Sequence, residues 1–371
     1  MLVLAVLAAA CAYAAVALAG GSTSGAARPP AVNPQALPVG PRLAVLVERV
    51  EPKNATAELL SIGPDGKDPQ AIARQANGYR GIFDYEHPSW SPDGEELAFE
   101  GPADETTAIY LINADGSNPH LLRTSEHPGG PDDTLMPEPV FDPLSGDLVV
   151  SVVHTPHGGE DLFGDDERPN GAGKLSLSQI RQQFWALPAD ASKPHRLSDR
   201  PFSRKHDYFL YPYSVAGDGE VAATLLGRRG FGIALVDPRS GAVHTVVGST
   251  AQEEGSLEPA ISPDGRQIVY KVDKQKGAVD EGGLISTDLM IVPATGGKPK
   301  LLARIKGGAR WPSWDPSGSR VAFTALNGNA LMEINGDGTC LTKVFSAGAG
   351  DVIKGSAWQP GAERGAGPIS C

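Results

Sequence analysis

Beyond residue 40 the hydrophobic residues fall in short runs separated by turn-forming residues, and the runs recur in a fixed order. Leu97-Ala98-Phe99, Leu148-Val149-Val150, Val221-Ala222-Ala223, Ile268-Val269-Tyr270 and Val321-Ala322-Phe323 form one series. A second series follows at a variable distance: Ile109 to Ile112, Phe184 to Leu187, Ile233 to Val236, Leu289 to Val292 and Leu331 to Ile334. A third closes several units, as His120-Leu121-Leu122, His195-Arg196-Leu197, Lys300-Leu301-Leu302 and Cys340-Leu341-Thr342. A helix of a globular protein needs a periodic stripe over about 10–12 residues, so runs this short predict β-strands.

Ahead of each unit stands a repeated turn. Pro88-Ser89-Trp90-Ser91-Pro92-Asp93-Gly94 recurs as Pro259-Ala260-Ile261-Ser262-Pro263-Asp264-Gly265 and as Pro312-Ser313-Trp314-Asp315-Pro316-Ser317-Gly318. Looser copies are Pro139-Val140-Phe141-Asp142-Pro143 and Tyr213-Ser214-Val215-Ala216-Gly217-Asp218-Gly219. Pro presets φ in such a turn and Gly accepts the positive φ that ends it. The large apolar residue before the turn predicts an opening strand, which makes four strands per unit. Such a unit repeated radially is the blade of a β-propeller.

The first unit, with strands at Leu43 to Val47, Glu58 to Ile62 and Gln70 to Ile72, lacks an opening strand. The orphan copy Ser356-Ala357-Trp358-Gln359-Pro360-Gly361 is an opening strand with no followers. Joined, the two ends complete one blade. The expected fold is therefore an all-β, six-bladed β-propeller over residues 41–371, closed by pairing the C-terminal strand with the N-terminal blade, which removes a free sheet edge.

The Pro-x-Trp-Ser-Pro-Asp-Gly motif, its apolar triplet and the later Asn113-Ala114-Asp115-Gly116 resemble the repeat of TolB-type propellers. Residues 87–124 match best, with 257–304 and 310–344 next. The resemblance implies a non-enzymatic module that binds a protein or peptide at the cell envelope. Related repeats also occur in lyases that act on acidic sugars with histidines around a metal. That similarity implies a second function, in which His87, His127, His154 and His206 hold the metal. His120, His195 and His244 fall near fourth strands, where an outer structural role is expected.

The N-terminus adds export. Leu2 to Ala19 is an apolar run ending Ala17-Leu18-Ala19-Gly20, a small-x-small site of the kind signal peptidase cuts. Residues 1–19 are read as a signal peptide, with an uncleaved membrane anchor as the alternative. No basic stretch precedes the run, so the true start is expected upstream; Cys11 faintly suggests lipidation. Residues 20–40 read as a flexible linker. Cleavage leaves Cys340 and Cys371, and an even pair in an oxidising compartment is most simply a disulfide, with two free thiols as the alternative.

Composition narrows function by exclusion. With 45 Gly and 32 Pro among 371 residues, and 40% hydrophobic residues, the chain is neither a coiled coil nor wholly disordered. A net charge of −12 argues against nucleic acid. No nucleophile elbow, zinc-protease helix motif, phosphate loop or Cys-x-x-Cys pair is present, so no catalytic residue is assigned. A monomer without a resident cofactor is expected.

Long connections are expected on one face, at 101–107, 125–136, 154–182, 198–210 and 271–287. The longest carries His154, His157, Glu160 and Asp161, candidate ligands for zinc or calcium, within an otherwise solvated acidic loop that includes Asp165 and Asp166. Arg200, Arg204, Lys205 and Lys274 complete the loop residues expected to meet a partner. Arg200 to Asp207 is read as solvated, or as half of an inter-loop ion pair.

Overall fold

The computed structural model describes residues 31–32, 42–50, 55–75, 88–103, 106–124, 133–154, 179–201, 208–227, 230–250, 256–275, 284–325, 329–360 and 367–371. Their strands form six antiparallel sheets. Blade 1 is composite: Val352–Trp358 pairs with Leu43–Val50, followed outward by Ala55–Ile62 and Gln70–Gln75. Blade 2 comprises Ser89–Trp90, Glu96–Ala103, Thr106–Asn113 and His120–Thr124; blade 3 comprises Asp133–Phe141, Leu148–His154, Arg181–Leu187 and His195–Pro201. Blade 4 runs Tyr208–Val215, Val221–Gly227, Gly230–Val236 and Val243–Thr250. Blade 5 runs Ser256–Ile261, Gln267–Gln275, Leu284–Pro293 and Lys300–Lys306, and blade 6 Ala309–Trp314, Arg320–Ala325, Ala330–Asn335 and Thr342–Ser346. The inner strand of each blade touches that of the next, and the last touches the first, so the six-bladed ring is closed as expected.

The second strands explain why the sequence shows runs rather than alternation. Leu148 to Val153 and Val221 to Leu226 are buried at every position, because both faces of each sheet pack on a neighbouring blade. The core is accordingly divided into six clusters, one per interface. Trp90, Leu97 and Phe99 of blade 2 pack on Ala44, Leu59 and Ile72 of blade 1. Trp314, Val321 and Phe323 of blade 6 pack on Val269, Leu289 and Leu302 of blade 5. At the closure, Leu43, Val45 and Trp358 meet Ala322 and Leu331. The remaining three clusters join blades 2 to 3, 3 to 4 and 4 to 5 in the same way.

The repeated motif supplies the links. The indole N–H groups of Trp90 and Trp314 donate to the carbonyls of Ala357 and Ala260 on the preceding blade, each at 3.1 Å. The amides of Phe141 and Ile261 donate back to the hydroxyls of Ser89 and Ser214, at 3.3 and 2.9 Å. The opening prolines Pro139, Pro259 and Pro312 fall in the innermost strands, where the pairing with the second strand slips, so a missing N–H breaks no ladder. The turns need glycine for space as well as for φ. At Gly66 (φ +75°) a Cβ would lie 1.5 Å from the Val344 carbonyl of blade 6.

The closure departs from this scheme. Trp358 Nε1 has no acceptor among the described residues, and its ring lies 5.2 Å from the Arg320 guanidinium of blade 6. Arg320 also pairs with the fully buried Glu333 at 2.7 Å. Burial pushes the Glu333 carboxyl from an ordinary 4.5 up to about 7, against the pull of Arg320 and helped by Asp315 and Asp65. Outside this pair, Cys371 is disulfide-bonded to Cys340 of blade 6, with Cα atoms 5.4 Å apart. The Asn335 amide holds the main chain of Ile369 at 2.7 and 3.0 Å. A cross-link of sequence separation 31 stabilises by roughly 3–4 kcal/mol in the chain-entropy account.

Two boundaries differ from expectation. Ala31–Val32, inside the segment read as linker, pairs with Ala73 and Arg74 as a fifth, outermost strand of blade 1. Several expected loops are strand: Gly101 to Ala103 and Thr106 to Thr107 pair with each other, and Gln267–Gln275 runs well past Lys271. Lys271 and Asp273, at the blade 5 strand end, find partners in Glu258 and Thr287 on other strands, which local composition does not show.

Phe323 is fully buried and Leu301 is half-exposed. Phe323→Ala should lower unfolding free energy by about 3–5 kcal/mol, whereas Leu301→Ala should stay within about 0.5 kcal/mol; urea denaturation checks both. A second expectation concerns pH. A carboxyl raised on folding contributes stability that is complete below about 4.5 and is lost as pH rises through about 7. The effect is at most about 3 kcal/mol. The turn residues Asp93 and Asp264, held below the usual range by Ser91 and Ser262, act in the opposite sense, and only in more acidic solution. The melting temperature should therefore fall between pH 5 and 7 as measured by calorimetry, and Glu333→Gln should remove that fall.

Candidate binding site at the channel mouth

Where the inner strands approach the long-connection face, their pairing with the second strand slips by a β-bulge in blades 1, 3, 4, 5 and 6. In four blades the bulge holds a residue at positive φ: Gly355 (156°), Glu138 (84°), Glu258 (52°) and Trp311 (53°). Each stands three positions before the large apolar residue of its motif, namely Trp358, Phe141, Ile261 and Trp314. Positive φ is uncommon outside glycine, and bulges re-aim neighbouring side chains. Four positions before the large apolar residue, in blades 1, 4, 5 and 6, stand Lys354, Tyr211, Leu257 and Arg310, each partly exposed between two buried residues. These four line the described part of the rim.

Behind the rim lies a buried ion network that joins three blades. Lys271 Nζ, 3% exposed, sits 2.8 Å from Glu258 and 3.0 Å from Asp273. Glu258 also accepts the Trp311 amide at 2.7 Å, while its own amide donates to Thr224 of blade 4 at 3.0 Å. Arg310 Nε is 3.6 Å from Glu258, and its guanidinium lies 4.8 Å over the Trp311 ring. On blade 1, Arg49 bridges Glu58 and Asp351, and Lys354 is 3.2 Å from Glu48.

Blades 3 and 4 are clamped by a neutral group instead. The Gln182 amide donates to Ser151 Oγ and to the Leu210 carbonyl, both at 2.7 Å. Its oxygen accepts from the Leu210 amide at 3.1 Å and from Arg200 at 2.9 Å. Arg200 donates also to the Tyr208 carbonyl at 2.8 Å and stacks on the Tyr208 ring, and burial lowers its pKa from the ordinary value. The Glu258 contacts to Trp311, Arg310 and Thr224, the Gln182 contacts to Leu210 and the Arg200 bond to Tyr208 cross blade boundaries, so the rim is held on a rigid frame.

No family profile and no curated protein matches the chain. Solved structures do. TolB of Acinetobacter baumannii superposes with a TM-score of 0.55 at 17% identity, over 86% of this chain and 67% of that one. A TolB-type structure from Agrobacterium tumefaciens gives 0.50 at 15% identity, over 84% and 90%. Hydrazine synthase of Kuenenia stuttgartiensis gives 0.55 at 12%, over 90% of this chain but 48% of that one. The fold is a TolB-like propeller. At these identities the likeness concerns architecture alone, and an enzyme shares it.

On this TolB-like ring the expected site residues scatter. His154 ends the second strand of blade 3, in register with Arg181 and Asp133. His157, Glu160, Asp161, Asp165, Asp166, Arg204, Lys205, His87, His127 and His206 lie outside the described residues. Among the described residues no group of three His, Cys, Asp or Glu is placed to hold a metal. Arg200 and Lys274, expected in loops, lie in strands instead. Arg200 is drawn into the clamp by Gln182 and Tyr208, and Lys274 lies beside Asp288, whose carboxyl is held low chiefly by Arg304. His120, His195 and His244 are on outer strands as expected.

The rim residues themselves were not singled out by motif reading, which began at the motif proline. Extending the repeat alignment a few residues N-terminal brings Lys354, Tyr211, Leu257 and Arg310 into one column. For the buried network, Lys271→Met should cost about 3–5 kcal/mol, because it leaves carboxylates buried without their cation. Adding Glu258→Gln should recover part of the loss, as read by chemical denaturation.

Proposed function

We propose that this chain is an exported, non-enzymatic propeller that binds a protein or peptide across the long-connection face and the mouth of its channel. The observation that carries the reading is the rim: partly exposed side chains of differing chemistry occupy one repeat position on a frame of buried cross-blade contacts. Rigid presentation of a mixed apolar and charged rim lowers the ordering cost of association. The second and third strands of blade 3, which residues 155–178 join, have their His154 and Arg181 ends on this face. Export is supported by the Cys340–Cys371 disulfide, which fits an oxidising compartment. The TolB structures share the architecture, and an envelope role by analogy with them is part of this proposal.

The test is capture of partners from a native envelope extract on immobilised protein. Deleting residues 156–178, or replacing Tyr211 and Leu257 together with Ser, should leave the fold intact by circular dichroism and reduce capture at least tenfold. Leu144→Ser, in a turn on the opposite face, should change nothing. Equal capture by all variants would reject this face as the binding surface.

A further inference from the structure

Of the four described rim residues, Lys354 and Arg310 are cations, and they stand on adjoining blades, 1 and 6. Each is paired with a carboxylate: Glu48 at 3.2 Å and Glu258 at 3.6 Å. The arrangement at Arg310 is polarised, because its side chain is 35% exposed and that of Glu258 only 5%. The positive end faces outward and the negative end is buried. Lys271 offsets the charge of Glu258 further, at 2.8 Å. Stacking on Trp311 fixes the guanidinium plane, and a fixed guanidinium edge matches a carboxylate with two parallel hydrogen bonds. Glu138, partly buried on blade 3 across the ring, places one carboxylate on the far side, and among the described rim residues the cations stand on blades 1 and 6.

We infer that this side of the channel mouth seats a carboxylate of the partner, either an acidic side chain or a chain terminus, with Arg310 as the principal contact and Lys354 as the second. The assignment rests on the binding-propeller reading and specifies the chemistry of the partner group. The chain's overall charge of −12 works against acidic ligands at long range, so selectivity has to come from contact at the rim. Tyr211 and Leu257, on blades 4 and 5, supply apolar surface for the segment that carries the group.

The test uses three peptides and isothermal calorimetry on the full exported chain. N-acetylated, C-amidated tetraglutamate offers side-chain carboxylates, N-acetylated tetraalanine with a free C-terminus offers only the terminal one, and capped tetraglutamine offers neither. One or both carboxylate probes should bind, and which of them does so tells side chain from terminus; tetraglutamine should bind at least tenfold more weakly. Arg310→Gln should weaken the carboxylate probe at least tenfold and Lys354→Gln less, with the folded circular dichroism spectrum retained by both variants. Should Arg310→Gln unfold the chain, Arg310→Lys replaces it, and an intermediate loss is expected. Equal binding of tetraglutamine, absence of binding by both carboxylate probes, or indifference to the Arg310 and Lys354 substitutions would overturn the inference. In those cases capture that still depends on Tyr211 and Leu257 would show that the face binds, and that only the carboxylate assignment fails.

Discussion

No blade of this protein can be stable by itself, because each sheet is apolar on both faces. Six clusters of buried side chains lie between blades rather than within them. A four-stranded sheet with two uncovered faces would expose Leu, Val and Phe on each side, at about 25 cal/mol per Å². Only a ring gives every face a partner without leaving two terminal faces open. Cooperativity is therefore circular, and the repeated Trp and Ser contacts between neighbours keep the faces in register.

The same constraint makes the closure a place where the repeat has to be broken. Blade 1 draws strands from both ends of the chain, so its integrity depends on pairing between Val352–Trp358 and Leu43–Val50. At this boundary the indole-to-carbonyl bond of the other Trp copies is replaced by a guanidinium against the Trp358 ring and a buried Arg320–Glu333 pair. The disulfide and the Asn335 amide fasten the tail that follows the closing strand. The C-terminal tail is thus secured to blade 6, beside the closure, where the chain itself supplies no continuity.

The mouth of the channel shows a different balance. Bulges and positive φ at Glu138, Glu258 and Trp311 cost conformational energy. The surrounding buried hydrogen bonds and ion pairs are what hold them. Buried charge of this kind is weak evidence for stability. Its effect at this site is positional: it fixes which residue of each inner strand is partly exposed to the channel.

Repetition made the blade count, the closure and the cysteine pairing legible in the sequence, because each rests on a local pattern or on simple pairing of what is left over. Pro, Asp and Gly at fixed offsets specify turns by their own φ preferences, wherever the turn sits. Strand ends such as Lys271 to Gln275 looked like loop because their partners are Glu258, Asp288 and residues of the opposing strand, distant in sequence. Arg200 read as solvated for the same reason: nothing near it in the chain announces Gln182 and Tyr208. Local chemistry determined what the repeating unit is. Which side chains of that unit are consumed at blade boundaries, and which reach the channel, was decided only when six units were set side by side, since burial at an interface belongs to two blades at once.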